Sequence, residues 1–158
     1  MTDEPKLTEA EWHRKQAIDL FNFTWTLIDK SDRTSAESDL MIHTAHSSRY
    51  HWGMVGKKVN FARGEWQIAH VYTLLGLTQS ALYHAQRCLD QCLADDIGDF
   101  DLAYAYEGVA RALACGGDRV EAEKFYRLAA DAGKMIHAEE DYQQFESDLT
   151  APPWYGLR

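Results

Sequence analysis

Between Lys6 and Ala151 the chain has no proline; its three prolines are Pro5, Pro152 and Pro153. Proline breaks helices and punctuates loops and sheets, so a proline-free interior of this length predicts helices throughout. Cysteine is scarce as well. Cys88, Cys92 and Cys115 form an odd set with two members at i, i+4, which reads as reduced core thiols rather than a disulfide framework. One Cys-x3-Cys pair without a second is a poor zinc signal. No apolar run is long enough to span a bilayer, and Met1–Ala10 is polar with no signal-like apolar segment after it, so a cytoplasmic, membrane-free protein is expected. Basic residues are outnumbered, 16 against 25 acidic, for a formal charge of −9. That balance lacks the positive field of nucleic-acid binders and disfavours an anionic membrane surface. Also missing are a nucleophile motif, a phosphate-binding glycine loop and a helix with two histidines four apart plus a glutamate.

What is present is a repeat within a chain of single-domain size, residues 1–158. Ile68-Ala69-x2-Tyr72-x3-Gly76-x4-Ala81-x3-Ala85-x2-Cys88 overlays Val109-Ala110-x2-Leu113-x3-Gly117-x4-Ala122-x3-Tyr126-x2-Ala129 without a gap. Each copy carries a large-small pair and a bulky residue on a first helix, a glycine at the turn, then alanine on a second helix.

This pattern resembles the tetratricopeptide repeat (TPR), in which small residues let two helices approach and bulky ones fill the space between them. The copies are 41 residues apart, whereas that family repeats at about 34. A longer second helix in the first unit, from about Thr78 to Asp95, is expected to absorb the difference. Tyr106 matches the aromatic that opens the family motif, but Glu65 holds that place in the first copy, and neither unit closes with the family's proline. The resemblance implies an all-α, TPR-like superhelix of about seven helices: an N-terminal hairpin over 8–56, two repeats over 59–133, a capping helix over 135–149 and a tail over 150–158. It also implies a groove lined by the first helix of each unit. Arg63, Trp66 and His70 fall there in the first repeat, with Tyr104, Glu107 and Arg111 in the second. Trp66 and His70 occupy the places of the family's clamp lysine and asparagine, so its carboxylate clamp for acidic peptides is not carried over.

Elsewhere, Thr8 with Glu11 forms a capping box opening a helix to about Lys30. That helix shows two apolar stripes, Ile18-Phe21-Trp25-Ile28 and Trp12-Leu20-Phe23-Leu27. Such a helix either lies between neighbours or offers a face to a second chain, so a homodimer through residues 8–30 is carried forward. The next helix, ended by Gly53 and Gly56, places Asp39, His43, His46, Ser47 and Tyr50 on one face opposite Met41, Ala45 and Trp52. Imidazole and carboxylate ligate zinc, iron and nickel, and His51, His70 or His84 would have to complete such a site. Histidines hydrogen-bonded to neighbouring helices are the default, and no cofactor is expected. Arg49, Lys57, Lys58 and Arg63 make a basic cluster read as a solvated loop.

The leading functional expectation is a non-catalytic protein- or peptide-interaction module using the repeat groove. The alternatives are a metal-binding bundle or metalloenzyme centred on Asp39, His43 and His46 with a divalent metal such as zinc, and an oligomeric structural or regulatory subunit.

Overall fold

A computed structural model describes residues 4–158. They form seven helices, and among the described residues there is no strand: α1 (Glu9–Ile28), α2 (Ser35–Val55), α3 (Lys58–Leu74), α4 (Thr78–Ala94), α5 (Asp99–Cys115), α6 (Arg119–Gly133) and α7 (Glu139–Thr150). Local chemistry sets several starts. Thr8 and Glu11 cap α1 reciprocally, and the Thr34 hydroxyl and Asp118 carboxylate accept the Glu37 and Glu121 amides to open α2 and α6. Each such cap satisfies a helix-start N–H and is worth about 1 kcal/mol.

The internal repeat is visible in the backbone. Helices α3 and α5 are each 17 residues long, and their starts and ends are 41 residues apart, as are the starts of α4 and α6. Gly76 and Gly117 take the same left-handed conformation, φ 71° and 81°. After each comes a 6→1 helix-ending bond: the Leu77 amide donates to the Tyr72 carbonyl at 2.9 Å, and the Asp118 amide to the Leu113 carbonyl at 3.1 Å. Glycine accepts that backbone without the steric cost of a Cβ. Helix α4 spans Thr78–Ala94 with Asp95 as its cap, the range expected for it, and is two residues longer than α6, but at 17 residues it equals α3 and α5, so the extra length relative to the tetratricopeptide period is not held in α4 alone.

Helices pair as α1 on α2, α3 on α4 and α5 on α6; α2 then packs on α3, α4 on α5, and α7 on both α5 and α6. Small residues permit these approaches. Ala81, Ala85, Ala105, Ala112 and Ala122 have no exposed surface, and Ile68 and Val109, one repeat apart, are both 1% exposed. Helix α1 departs from its two-stripe pattern. Its buried residues are His13, Ala17, Thr24 and Leu27, while Trp12, Ile18 and Phe23 stay largely exposed. The small side of the helix won because it allows contact with α2: Thr24 Oγ1 donates to Thr44 Oγ1 at 2.8 Å and Ser48 Oγ to the Ala17 carbonyl at 2.7 Å.

Helix α6 ends at Gly133, and one boundary near the C-terminus shifts: α7 begins at Glu139, four residues after the expected Met135. Gly133 is used for space: a Cβ there would lie 2.5 Å from Cε1 of Phe145, a fully buried ring. The tail folds back over α5 and α6. Trp154 is 4% exposed, stacks edge-on against Tyr126 at 5.0 Å and donates its indole N–H to the Leu149 carbonyl. Arg119 holds the Gly156 carbonyl and Arg158 pairs with Glu123.

Candidate functional site

Two adjoining cavities open between α1, α3, α5 and α7. The larger, about 530 Å³, is lined by Phe21, Trp25 and Asp29 of α1 and its cap, Ala62, Arg63 and Trp66 of α3, Phe100, Asp101 and Tyr104 of α5, and Gln144 and Asp148 of α7, with Cys88 behind. The smaller, about 230 Å³, shares Trp25, Asp29, Trp66 and Asp148 and adds His70, Glu107 and Arg111 among others. All six groove residues named from the sequence therefore line one cavity or the other. Their roles divide sharply.

Arg63, Trp66 and Tyr104 belong to the open, larger cavity. Trp66 sits at its centre: Trp25 stacks on it at 5.8 Å, His70 lies nearly parallel at 4.9 Å, and Tyr104 meets it edge-on at 5.5 Å. Gly108 makes room for the indole, since a Cβ there would stand 3.2 Å from Trp66 Cδ1. Arg63 is held by a two-toothed ion pair to Asp101, 2.8 and 3.0 Å, and lies over the Phe100 ring. That hydrogen bonding raises the guanidinium's pKa further. Tyr104 Oη donates to Asp148 Oδ2 at 2.5 Å; burial first, and this bond second, push the phenol's pKa far above its ordinary value.

Glu107 and Arg111 do not present to a groove. They are 1% and 3% exposed and pair with each other through Arg111 Nε and Glu107 Oε1. The second Glu107 oxygen accepts the Trp66 indole N–H at 2.9 Å. Arg111 spends its remaining donors on the Asp148, Ala151 and Pro153 carbonyls at 2.8–3.1 Å, and its guanidinium lies 4.1 Å from the Trp154 ring centroid. It thus caps the negative end of α7 and fixes the tail, a favourable place for a cation. His70 is also largely enclosed; burial and the nearby Arg111 charge drop its pKa to about 3, so the ring is neutral at physiological pH.

Trp25, Trp66, Glu107 and Asp148 follow one another at 41-residue intervals, and all four line the smaller cavity. Phe21, Ala62 and Gln144 keep the same register in the larger one. The period therefore reaches α1 and α7. Sequence reasoning stopped at two copies because the α1 and α7 units lack the large-small and turn-glycine signals; the spacing of Trp25 to Trp66 was the available clue.

No family model, curated protein or solved structure matches this chain.

The alternative metal site does not assemble. Asp39 and His43 are exposed on α2, whereas His46 Nε2 turns to Tyr72 Oη at 2.8 Å and its ring packs edge-on against His84. His84 in turn bonds Glu65, which also pairs with Arg49. Burial and the neighbouring His84 lower the His46 pKa. Among the described residues no group of three histidine, cysteine or acidic side chains converges on a metal-sized position. Of the other candidate third ligands, His51 Nδ1 faces His13 Nδ1 at 2.8 Å and His70 stacks in the cleft. The basic cluster is also divided: Arg49 lies over Phe61 and Arg63 is tied to Asp101. Cys88, Cys92 and Cys115 are free thiols. No described helix is long and apolar enough to cross a membrane.

Proposed function

We propose that the chain is a tetratricopeptide-like interaction module that binds a protein or peptide segment in the cleft between α1, α3, α5 and α7. One observation carries this reading: α1, α3 and α5 contribute Phe21, Trp25, Trp66, Phe100 and Tyr104 to a cavity of about 530 Å³, which α7 borders with Gln144 and Asp148. A cleft of that size with aromatic walls and a few fixed polar groups has the usual make-up of a ligand site. Aromatic anchors in such a recess supply most of the energy of recognition. The buried Glu107–Arg111 pair belongs to its scaffold rather than to its contact surface. A cytoplasmic setting remains part of the proposal.

The test is selection of peptides from a random display library against the wild type, followed by binding to Gln144→Trp. Gln144 is an exposed cavity-lining residue, so a tryptophan there fills the mouth without entering the core. Selected peptides should lose binding to this variant while its helical circular dichroism stays unchanged. Equal binding to both proteins would place recognition elsewhere.

The homodimer through residues 8–30 has narrower support, the exposed rings of Trp12 and Phe23 on α1. Sedimentation as a clean monomer at micromolar concentration would remove it.

A further inference from the structure

Resting on the reading of the cleft as a peptide site, we propose that the side chain it accepts is cationic: a lysine, unmodified or methylated, carried on an extended peptide segment. Charge and aromatic character agree on this. The walls of the two cavities include four carboxylates, Asp29, Asp101, Glu107 and Asp148, against two guanidiniums, Arg63 and Arg111, with Glu107 and Arg111 buried as a pair behind the surface. Both guanidiniums are already committed. Arg63 is bound to Asp101 by two hydrogen bonds, and Arg111 is buried against Glu107 and the carbonyls that end α7. Arg33, near the end of α1, is likewise occupied with the Leu27, Ile28 and Lys30 carbonyls. His70 is neutral.

Two carboxylates are left without a cationic partner. Asp29 stands exposed at the rim, and its carboxylate has no hydrogen-bond or ion-pair partner among the described residues. Asp148 receives only neutral donors, the Tyr104 phenol and the Gln144 amide. An anionic guest would meet this excess negative charge with no free guanidinium. A purely apolar guest would cover the carboxylates without satisfying them, which costs free energy. An ammonium group satisfies both constraints, because indole, phenol and phenyl faces attract cations and the carboxylates add Coulomb attraction. The second cavity continues the first across Trp25 and Trp66. That continuity gives the cleft room beyond one side chain, which favours a peptide segment over a free amine.

The experiment is calorimetric titration of the whole chain with the peptide acetyl-Ala-Ala-Lys-Ala-Ala-amide and with three counterparts, in which trimethyllysine, norleucine or glutamate replaces the lysine. Free n-butylammonium is titrated alongside. The lysine and trimethyllysine peptides should bind at least about tenfold more tightly than the norleucine and glutamate peptides. Their affinity should fall with added salt and several-fold in Asp29→Asn, which removes a charge but no internal contact. Norleucine binding as well as lysine, but lost in Gln144→Trp, would overturn the cation while leaving the cleft as the site. Preference for glutamate would overturn it with the opposite sign. Free n-butylammonium binding as tightly as the peptides would overturn the peptide as carrier. Silence of all the lysine peptides up to about 1 mM, an affinity worth only about 4 kcal/mol, would overturn the inference, and library selection then decides separately whether the cleft binds anything.

Discussion

Arg111→Met isolates the buried charge that ties the repeat to the tail. Methionine keeps much of the apolar stem but removes five N–H donors and the positive charge. In the wild type those donors reach Glu107 and the Asp148, Ala151 and Pro153 carbonyls, and the guanidinium covers Trp154. The substitution leaves Glu107, 1% exposed, with the Trp66 indole as its partner. Breaking a buried ion pair from one side costs about 3–5 kcal/mol. The tail carbonyls can recover water only by lifting the tail, and that exposes Trp154. A loss of about 3–5 kcal/mol is a large share of the roughly 5–15 kcal/mol typical of a domain. The double variant Glu107→Gln/Arg111→Met removes the orphaned charge, so it should be less destabilised than Arg111→Met alone, the non-additivity expected of coupled neighbours. Urea unfolding followed by circular dichroism measures both variants and the Glu107→Gln single variant, and tail release appears as faster hydrogen exchange of the Trp154 indole. If Arg111→Met stays within about 1 kcal/mol of wild type, or the double loss equals the sum of the single losses, the pair is not the keystone described above.

Gly133→Ala should destabilise by about 1–3 kcal/mol, because its Cβ falls 2.5 and 2.7 Å from two carbons of the fully buried Phe145 ring. Adding Phe145→Leu should return part of that loss in thermal unfolding, and a neutral Gly133→Ala would show that α6 and α7 are not in this contact. Stability should also fall with acid. His46, His51 and His70 all have pKa values below 6.5 in the folded chain, from burial first and neighbouring cationic or imidazole groups second, with His70 at about 3. Since the unfolded chain takes up protons first, stability is intact above pH 6.5 and declines below it, by up to about 1.4 kcal/mol per pH unit for His70. The thermal midpoint should drop between pH 7 and pH 5, and His70→Gln should flatten that drop. A profile unchanged by the substitution would mean that His70 is protonated freely in the folded state.

Much of the fold was legible because it rests on short-range rules. The missing prolines and the Thr8–Glu11 box set helices and the first helix start, and Gly76 and Gly117 set two matching turns. The groove positions were legible from the 41-residue offset, yet their exposure was not. Periodicity places Trp66 and Glu107 on one face in the same way, but it cannot say that α7 and the tail cover one and leave the other at an open cavity. The two stripes on α1 misled for a related reason: large apolar side chains mark a candidate face, while close helix contact was won by Ala17, Thr24 and Ser48. Asp39, His43 and His46 share a helical face as expected, and α3 and α4 drew His46 away through Tyr72 and His84.

By itself, then, the sequence determined an all-helical chain, the helix-turn-helix period and the face each repeat turns toward its neighbours, since capping, backbone conformation and side-chain periodicity are local. Only the tertiary structure decided which charges on that face are paired internally and which stay unpaired. Arg111 became a clamp for α7, Asp29 stayed free, and Trp25 was brought from 41 residues away onto Trp66. The physical reason is that burial and ion pairing are properties of the space between helices, and that space exists only once distant segments have packed.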